Sequence, residues 1–229
     1  MNTFALFGDN TSESLSPLIY KILSRIYKVD LKYHCFNLNP MDYDFMHLSG
    51  FNITSPFKKK TFLKLHSIYN CSQLAHDTGY ANFYDNKKKI ATNTDVYGIE
   101  KTLEAIDINS YSIAIIGAGD VTSSILEVLQ DSSINIYNRS DKSADYYNHT
   151  FKKLADFKPS DYDFIINSTP LEIDHKFQFD LNYLRYQNQT VSGLSMLIWQ
   201  AMKNFSLWFN INYSDEHLLK KEILNEIKK

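Results

Sequence analysis

Ser112-Ile113-Ala114-Ile115-Ile116-Gly117-Ala118-Gly119-Asp120-Val121-Thr122 is the stretch that decides the fold. A short apolar run ending at a glycine reads as a strand buried on both faces. The two glycines then permit a tight turn and a close approach of backbone to a ligand, and a helix follows through Leu129. Beyond that helix Ile134–Tyr137 is a second apolar strand, and Tyr162–Asn167 supplies another of the same sheet. Strand, glycine turn, helix and strand make a βαβ unit of the dinucleotide-binding kind. Gly117, Ala118, Gly119, Asp120 and Val121 are therefore the candidates for holding a pyrophosphate at a helix N-terminus. Thr122 stands where the motif usually has a third Gly or Ala, so the match is partial. The plain alternative is an ordinary βα turn in a doubly wound fold.

The strand after the glycines tells one dinucleotide from another. An NAD site usually places Asp or Glu about 20 residues on, where it accepts hydrogen bonds from the ribose. Here the strand ends in Asn138-Arg139-Ser140. A guanidinium and a hydroxyl suit a 2′-phosphate, and no carboxylate opposes it at those three positions. The expected cofactor is NADP, with Asp141 next in the chain as the contrary charge.

Working outward, Thr3–Phe7 reads as a strand ending at Gly8. Ser16-Pro17 opens a helix, Ser as N-cap and Pro at its first position, with Leu18, Ile19, Ile22, Leu23 and Ile26 on one face. Tyr33–Leu38 and Phe51–Thr54 are further strands, and Met41–Leu48 a short helix. A helix runs from Ser55-Pro56 through Lys58 and Leu63. Tyr80–Tyr84 and Lys89–Thr92 pair as a hairpin around Asp85-Asn86, and another helix starts near Tyr97. The tail from Asp215 to Lys229 is an amphipathic helix with acids first and lysines last.

Composition narrows the function classes. A net charge of −2 gives no electrostatic reason to bind nucleic acid or an anionic membrane. No apolar run approaches the roughly 20 residues of a membrane span, and the N-terminus lacks the pattern of a signal peptide. The expected location is cytoplasmic. Cys35 and Cys71 have no metal-type spacing and read as reduced core residues; the seven histidines show no HxH or HExxH spacing, so no metal site is expected. The seven glycines, few for this length, read as markers of tight turns or close ligand approach.

Three segments of the first half place small polar side chains beside glycines or helix starts. They are Ser14-Leu15-Ser16-Pro17, Gly50-Phe51-Asn52-Ile53-Thr54-Ser55-Pro56-Phe57-Lys58 and Asn93-Thr94-Asp95-Val96-Tyr97-Gly98. With Gly79-Tyr80-Ala81-Asn82, Asn138-Arg139-Ser140, Ile166-Asn167-Ser168-Thr169 and Gly193-Leu194-Ser195-Met196-Leu197-Ile198-Trp199-Gln200, they form an ordered set over nearly the whole chain. That set resembles the shikimate dehydrogenase family.

The resemblance implies that Lys58 and Asp95 are a catalytic pair acting on the hydroxyl of shikimate or the ketone of 3-dehydroshikimate. It implies that Ser14 and Ser16 bind the substrate carboxylate, and that Asn52, Thr54, Asn82 and Gln200 hold the hydroxyls and frame the ring. It brings Gly193 and Met196 near the nicotinamide. Each residue also has a structural role open to it. Ser16 and Asp95 can cap helices, Lys58 begins a Lys58-Lys59-Lys60 run of the kind usually solvated, and Met196 suits a helix core.

One departure from the family pattern stands out. Only a short stretch separates Asn167-Ser168-Thr169 from Gly193, where the family has a further strand, an Asp-x-x-Tyr element and a helix. Phe179-Asp180-Leu181-Asn182-Tyr183 is either a remnant of that element, making Tyr183 a substrate contact, or the run that precedes it.

The expected fold is α/β. Residues 1–96 with 194–229 form a substrate-binding and catalytic α/β domain to which the C-terminal helices return. Residues 97–193 form a Rossmann-like NADP-binding domain, and a cleft holds the site. The expected activity is reversible NADPH-dependent reduction of 3-dehydroshikimate to shikimate in aromatic amino-acid biosynthesis, by a monomer or homodimer. The alternatives are a relative that uses NAD or takes quinate, and a weak or inactive paralogue binding NADP or a carbocyclic acid as a sensor.

Overall fold

The computed structural model describes residues 2–129, 133–143, 148–183 and 191–228. The chain divides into two compact units, Met1–Tyr97 with Ile198–Lys229, and Gly98–Leu197.

In the first unit the apolar run at the N-terminus forms β1 (Asn2–Gly8), flanked by two parallel neighbours, β2 (Leu31–Asn37) and β3 (Gly50–Ile53). The hairpin β5 (Phe83–Asp85) and β6 (Ile90–Thr92) joins β3 in the antiparallel sense, and β4 (Asn70–Cys71) closes the order β2-β1-β3-β5-β6-β4. Helices α1 (Ser16–Tyr27), α2 (Lys58–Leu65) and α3 (Gln73–Thr78) link the strands. Ala5, Phe7, Phe51, Ile53, Phe62 and Tyr84 meet in one core on this sheet. Gly50 lies in a crowded part of the sheet. A Cβ there would stand 2.5 Å from the Tyr84 carbonyl and 2.6 Å from Trp208 Nε1. Gly50→Ala is expected to destabilise the protein by about 1–3 kcal/mol, the usual cost of overpacking. Urea unfolding checks this, and an unchanged midpoint would show that the neighbours yield freely.

Several local expectations are corrected. The residue before α1 is Leu15, and Ser16 is already helical, so Ser16 is not the N-cap. Ser14 supplies the turn instead, its Oγ accepting from the Ser16 N–H at 3.2 Å. Leu18 is 38% exposed while Ile19, Ile22 and Leu23 are buried, so the apolar face of α1 begins at Ile19. Met41–Leu48 is not one helix but two single turns, Pro40–Asp42 and Phe45–His47. Asn39 and Asp44 each accept from the backbone N–H two residues on, and this restarts the turn rather than extending it. Cys35 and Cys71 are free but half-buried, at the edge of the core rather than in it. Gly98 marks no turn; it sits inside helix α4 (Asp95–Leu103), where its carbonyl takes the Thr102 hydroxyl.

The second unit is built on β7 (Ile113–Ile116), α5 (Asp120–Val128), β8 (Ile134–Asn138), β9 (Thr150–Lys153), β10 (Phe164–Asn167), β11 (Gln178–Asp180) and β12 (Val191–Ser192). All pairings among these strands are parallel, in the order β12-β11-β10-β7-β8-β9. Numbered from β7, this is the 3-2-1-4-5-6 order of a doubly wound dinucleotide fold. Ile113, Ile115, Ile125, Ile136, Phe164 and Ile166 form its core.

Helix α6 (Gly193–Phe209) leads back into the first unit, followed by α7 (Glu216–Ile227). The side chain of Asp215 caps α7 by accepting from Leu218 N–H at 2.9 Å. Its last turn holds no basic residue, so the lysine end expected there is limited to Lys228 beyond the helix; Lys229 lies outside the described residues. Among the described residues, no helix is long and apolar enough to cross a membrane.

Candidate active site

In the first unit the candidate side chains leave one end of the sheet. Phe7 of β1 lies opposite Ile53 of β3, so the loop with Ser14 and Ser16 and the segment with Thr54 start side by side. Asn52 of β3 lies opposite Phe83 of β5, which in turn pairs with Thr92 of β6. Asn82 and the run Asn93-Thr94-Asp95 therefore begin at that same end, beyond the carboxyl ends of β1 and β3, where open α/β sheets bind ligands.

Lys58 is not the surface residue its lysine run suggests. It is 7% exposed, while Lys59 and Lys60 are exposed. Within α2 the buried residues are Lys58, Thr61, Phe62 and Leu65, which at this spacing share one helical face. Lys58 Nζ donates to Asp95 Oδ2 at 2.6 Å, with side-chain exposures of 9% and 2%. Two more donors hold that carboxylate: the Tyr80 hydroxyl reaches Oδ2 and Asn82 Nδ2 reaches Oδ1, each at 2.8 Å. Asp95 does not cap α4. It is the first residue of the helix, and its backbone N–H donates to Asn93 Oδ1 at 3.0 Å.

Asn82 is held from the other side. Its Oδ1 accepts from the Thr94 N–H at 2.8 Å, which turns Nδ2 toward Asp95 and toward Gln200 Oε1 at 3.1 Å. Thr94 Oγ1 bonds Asn204 Oδ1 at 2.7 Å, and Asn204 Nδ2 donates to the Tyr20 hydroxyl at 3.0 Å. Asn52 joins the network through Oδ1, which accepts from Tyr20 and Tyr33, and through Nδ2, which donates to the Asn82 carbonyl. Lys58, Asp95, Asn52, Asn82 and Gln200 are thus directly linked. Thr54 is half-buried, its N–H bonded to the Phe7 carbonyl at 2.8 Å and its methyl facing Gly8. Ser14 and Ser16 are joined to each other rather than to the network.

In the second unit Gly117 has φ +104°, a conformation that L side chains rarely adopt, and a Cβ there would run into Ser168 Oγ. The space over Gly119 is open for 4 Å, and α5 begins immediately after it at Asp120 and Val121. Ala118 is buried, and its carbonyl takes Lys142 Nζ at 2.9 Å. Thr122 replaces the usual small residue without cost, being buried with its hydroxyl on the Gly117 carbonyl at 3.2 Å. Arg139 and Ser140 are exposed at the end of β8, where Asn138 Nδ2 pins the turn by donating to the Ser140 carbonyl at 3.0 Å. Together with Asp141, with Lys152 and Lys153 of β9, and with Leu154 just after it, they line an open recess of about 620 Å³. Asp141 turns its charge into its own loop: the N–H and hydroxyl of Ser143 hold its carboxyl below the usual range, helped by Lys153.

No family model matches the chain. Curated relatives span nearly all of it. The shikimate dehydrogenase (NADP(+)) of Pelagibacter ubique is 26% identical over 249 residues, covering 91% of this chain and 94% of the relative. That of Ignicoccus hospitalis is 28% identical, covering 90% and 92%. Among solved structures, shikimate dehydrogenase 1 of Peptoclostridium difficile superposes with a TM-score of 0.82 over 99% of each chain, at 22% identity. Over nearly its whole length this chain is similar to shikimate dehydrogenases, and it shares their fold.

The short stretch between Thr169 and Gly193 does not cost the second unit a strand, because β11 and β12 both extend the sheet beyond β10. Asp180 ends β11, its carboxylate taking the Asn182 N–H at 2.8 Å and Asn167 Nδ2 at 3.3 Å. Tyr183 follows, half-buried. Gly193 is required by packing, since a Cβ would lie 2.5 Å from the Leu181 carbonyl. Met196 is part of the core of the second unit, not a free wall residue.

Sequence reasoning missed Tyr80, Thr94, Asn204, Tyr20 and Tyr33 as members of the site. Tyr80 and Thr94 lay inside the quoted motifs, between residues that were singled out. The other three carry no local signal, because their partners are 19 to 184 positions away.

Proposed function

We propose that this protein is an NADP-dependent shikimate dehydrogenase, reducing 3-dehydroshikimate to shikimate reversibly. The observation that carries the reading is the buried Lys58–Asp95 pair, at 2.6 Å, within a network of neutral polar side chains. A buried lysine is costly to keep unless its charge is used or paired. Here it is paired by a carboxylate that three donors hold in place, which leaves two Nζ protons for a substrate oxygen.

Residues Gly98–Leu197 would bind NADP. The donor set fits it: an open space over Gly119 at a helix N-terminus for the pyrophosphate, and Arg139 and Ser140, beside Lys152 and Lys153, for the 2′-phosphate. NADPH, when bound, supplies the hydride. Lys58 does the complementary work at the oxygen, donating a hydrogen bond to the ketone and passing it a proton as the carbon is reduced. In the oxidation direction a neutral Lys58 takes the hydroxyl proton. Asp95 holds the ammonium in place, and Asn82 and Gln200 fix the ring hydroxyls, with Asn52 and Thr54 behind them. Ser14 and Ser16, at the start of α1, bind the carboxylate. Tyr183 is assigned to the substrate, and Gly193 and Met196 shape the segment beside the nicotinamide.

The direct test is NADPH absorbance with purified protein, shikimate and NADP. Tight NADP binding without turnover of shikimate or quinate would overturn the proposal. Anchoring of the carboxylate has its own test. Ser14 Oγ accepts from Ser16 N–H and so keeps its own proton to donate. Ser14→Ala is expected to raise the KM for shikimate about fivefold, the scale of one net hydrogen bond, with NADP affinity unchanged. An unaltered KM would make Ser14 a turn residue only.

A further inference from the structure

We propose that Tyr80 is a positioning residue that sets how readily Lys58 gives up its proton, and with it the working pH of the site. This rests on the reading of Lys58 as the amine that handles the proton. Three ionisable side chains meet there: Lys58 from α2, Tyr80 from the loop after α3, and Asp95 from α4. The other described neighbours, Asn82, Asn93 and Gln200, are neutral. Tyr80 is 1% exposed and touches Lys58 in two ways. Its ring face lies 5.3 Å from Nζ, and its hydroxyl donates at 2.8 Å to Asp95 Oδ2, the oxygen that also takes the ammonium.

The two contacts pull in opposite directions. The ring face favours the charged amine. The hydroxyl satisfies part of the charge on Oδ2, so the carboxylate grips the ammonium less tightly and the amine loses its proton more readily. Tyr80→Phe separates them, keeping the ring and deleting the hydroxyl. Oδ2 then faces Lys58 alone, and the ammonium is held more strongly.

On that reading, kcat/KM for shikimate oxidation is expected to rise with pH. In Tyr80→Phe that limb is expected to move up by about one pH unit, the effect of one hydrogen bond to a charged group. The rate then falls about tenfold below the limb and rejoins the wild type above it. A structural role alone would lower the rate by one factor at every pH. The second readout needs no turnover: the Lys58 Cε resonance, assigned with Lys58→Arg, is followed through a pH titration of the full chain. Its midpoint is expected to rise by about one unit in Tyr80→Phe. Tyr80→Met, which loses ring and hydroxyl together, is expected to shift it less, because the two losses oppose each other. An unshifted Lys58 titration in both variants overturns the role of Tyr80 whether or not shikimate is oxidised. A shifted titration in a chain that does not oxidise shikimate supports the role of Tyr80 and overturns the proposed function alone.

Discussion

Replacing either Lys58 or Asp95 is expected to lower kcat by about 10²–10⁴, the usual scale of general acid–base catalysis. Lys58→Met and Asp95→Asn are the informative single changes, and combining them makes the test sharper. On activity the double variant is expected to be little worse than either single one, because the two side chains act on one proton as a unit. On stability the expectation runs the other way. Side chains 9% and 2% exposed form a buried pair, and removing one partner leaves the other uncompensated. Breaking such a pair typically costs about 3–5 kcal/mol, whereas replacing both is nearly neutral. Lys58→Met leaves Asp95 with Tyr80 and Asn82 as donors, so its cost should fall at the low end of that range. Urea unfolding beside turnover reads both quantities. Turnover that survives Lys58→Met would rule out the assigned chemistry, and a double variant less stable than both singles would contradict the coupling.

Arg139→Ala is expected to weaken NADP binding about 10- to 150-fold, equivalent to a charge-assisted contact of about 1.5–3 kcal/mol. NAD affinity should change by less than about twofold, since NAD has no 2′-phosphate for the guanidinium to meet. Arg139 is exposed at the end of β8, so the discrimination should also shrink as salt is raised. Lys152 and Lys153, which line the same recess, set a floor under the loss. Fluorescence titration with both cofactors at two ionic strengths checks these points. Equal or tighter binding of NAD by the unmodified protein would sink the assignment.

How much of this was legible in the sequence depended on the range of the interaction. The strand, glycine turn and helix from Ile113 to Val128 were legible because local sterics and continuous burial dictate them, and the strand ending at Asn138-Arg139-Ser140 followed for the same reason. Short elements held by neighbours were not. Examples are β4, two residues long and fixed by β6, and β9, which pairs only at the edge of its sheet. The catalytic candidates were reached through motif resemblance, and their environment was misjudged where composition was weighed over periodicity. Lys58 was read as solvated because two lysines follow it, yet its spacing to Phe62 and Leu65 already put it on the apolar face of α2. The clamp on Asp95 was beyond reach, since a tyrosine 15 positions away gives no pattern that points to it.

The first unit is built from residues on both sides of the second unit in the sequence, and this orders its assembly in time. During synthesis the whole of the second unit is made before Ile198 and the helices beyond it. Domains fold as units when their residues become available, the N-terminal ones first. Asn82 has no Gln200, and Thr94 no Asn204, until α6 has been made. The surroundings of the Lys58–Asp95 pair are therefore completed only after the whole second unit has been made, and a nascent chain arrested before α6 carries Lys58 and Asp95 without Gln200 and Asn204 around them.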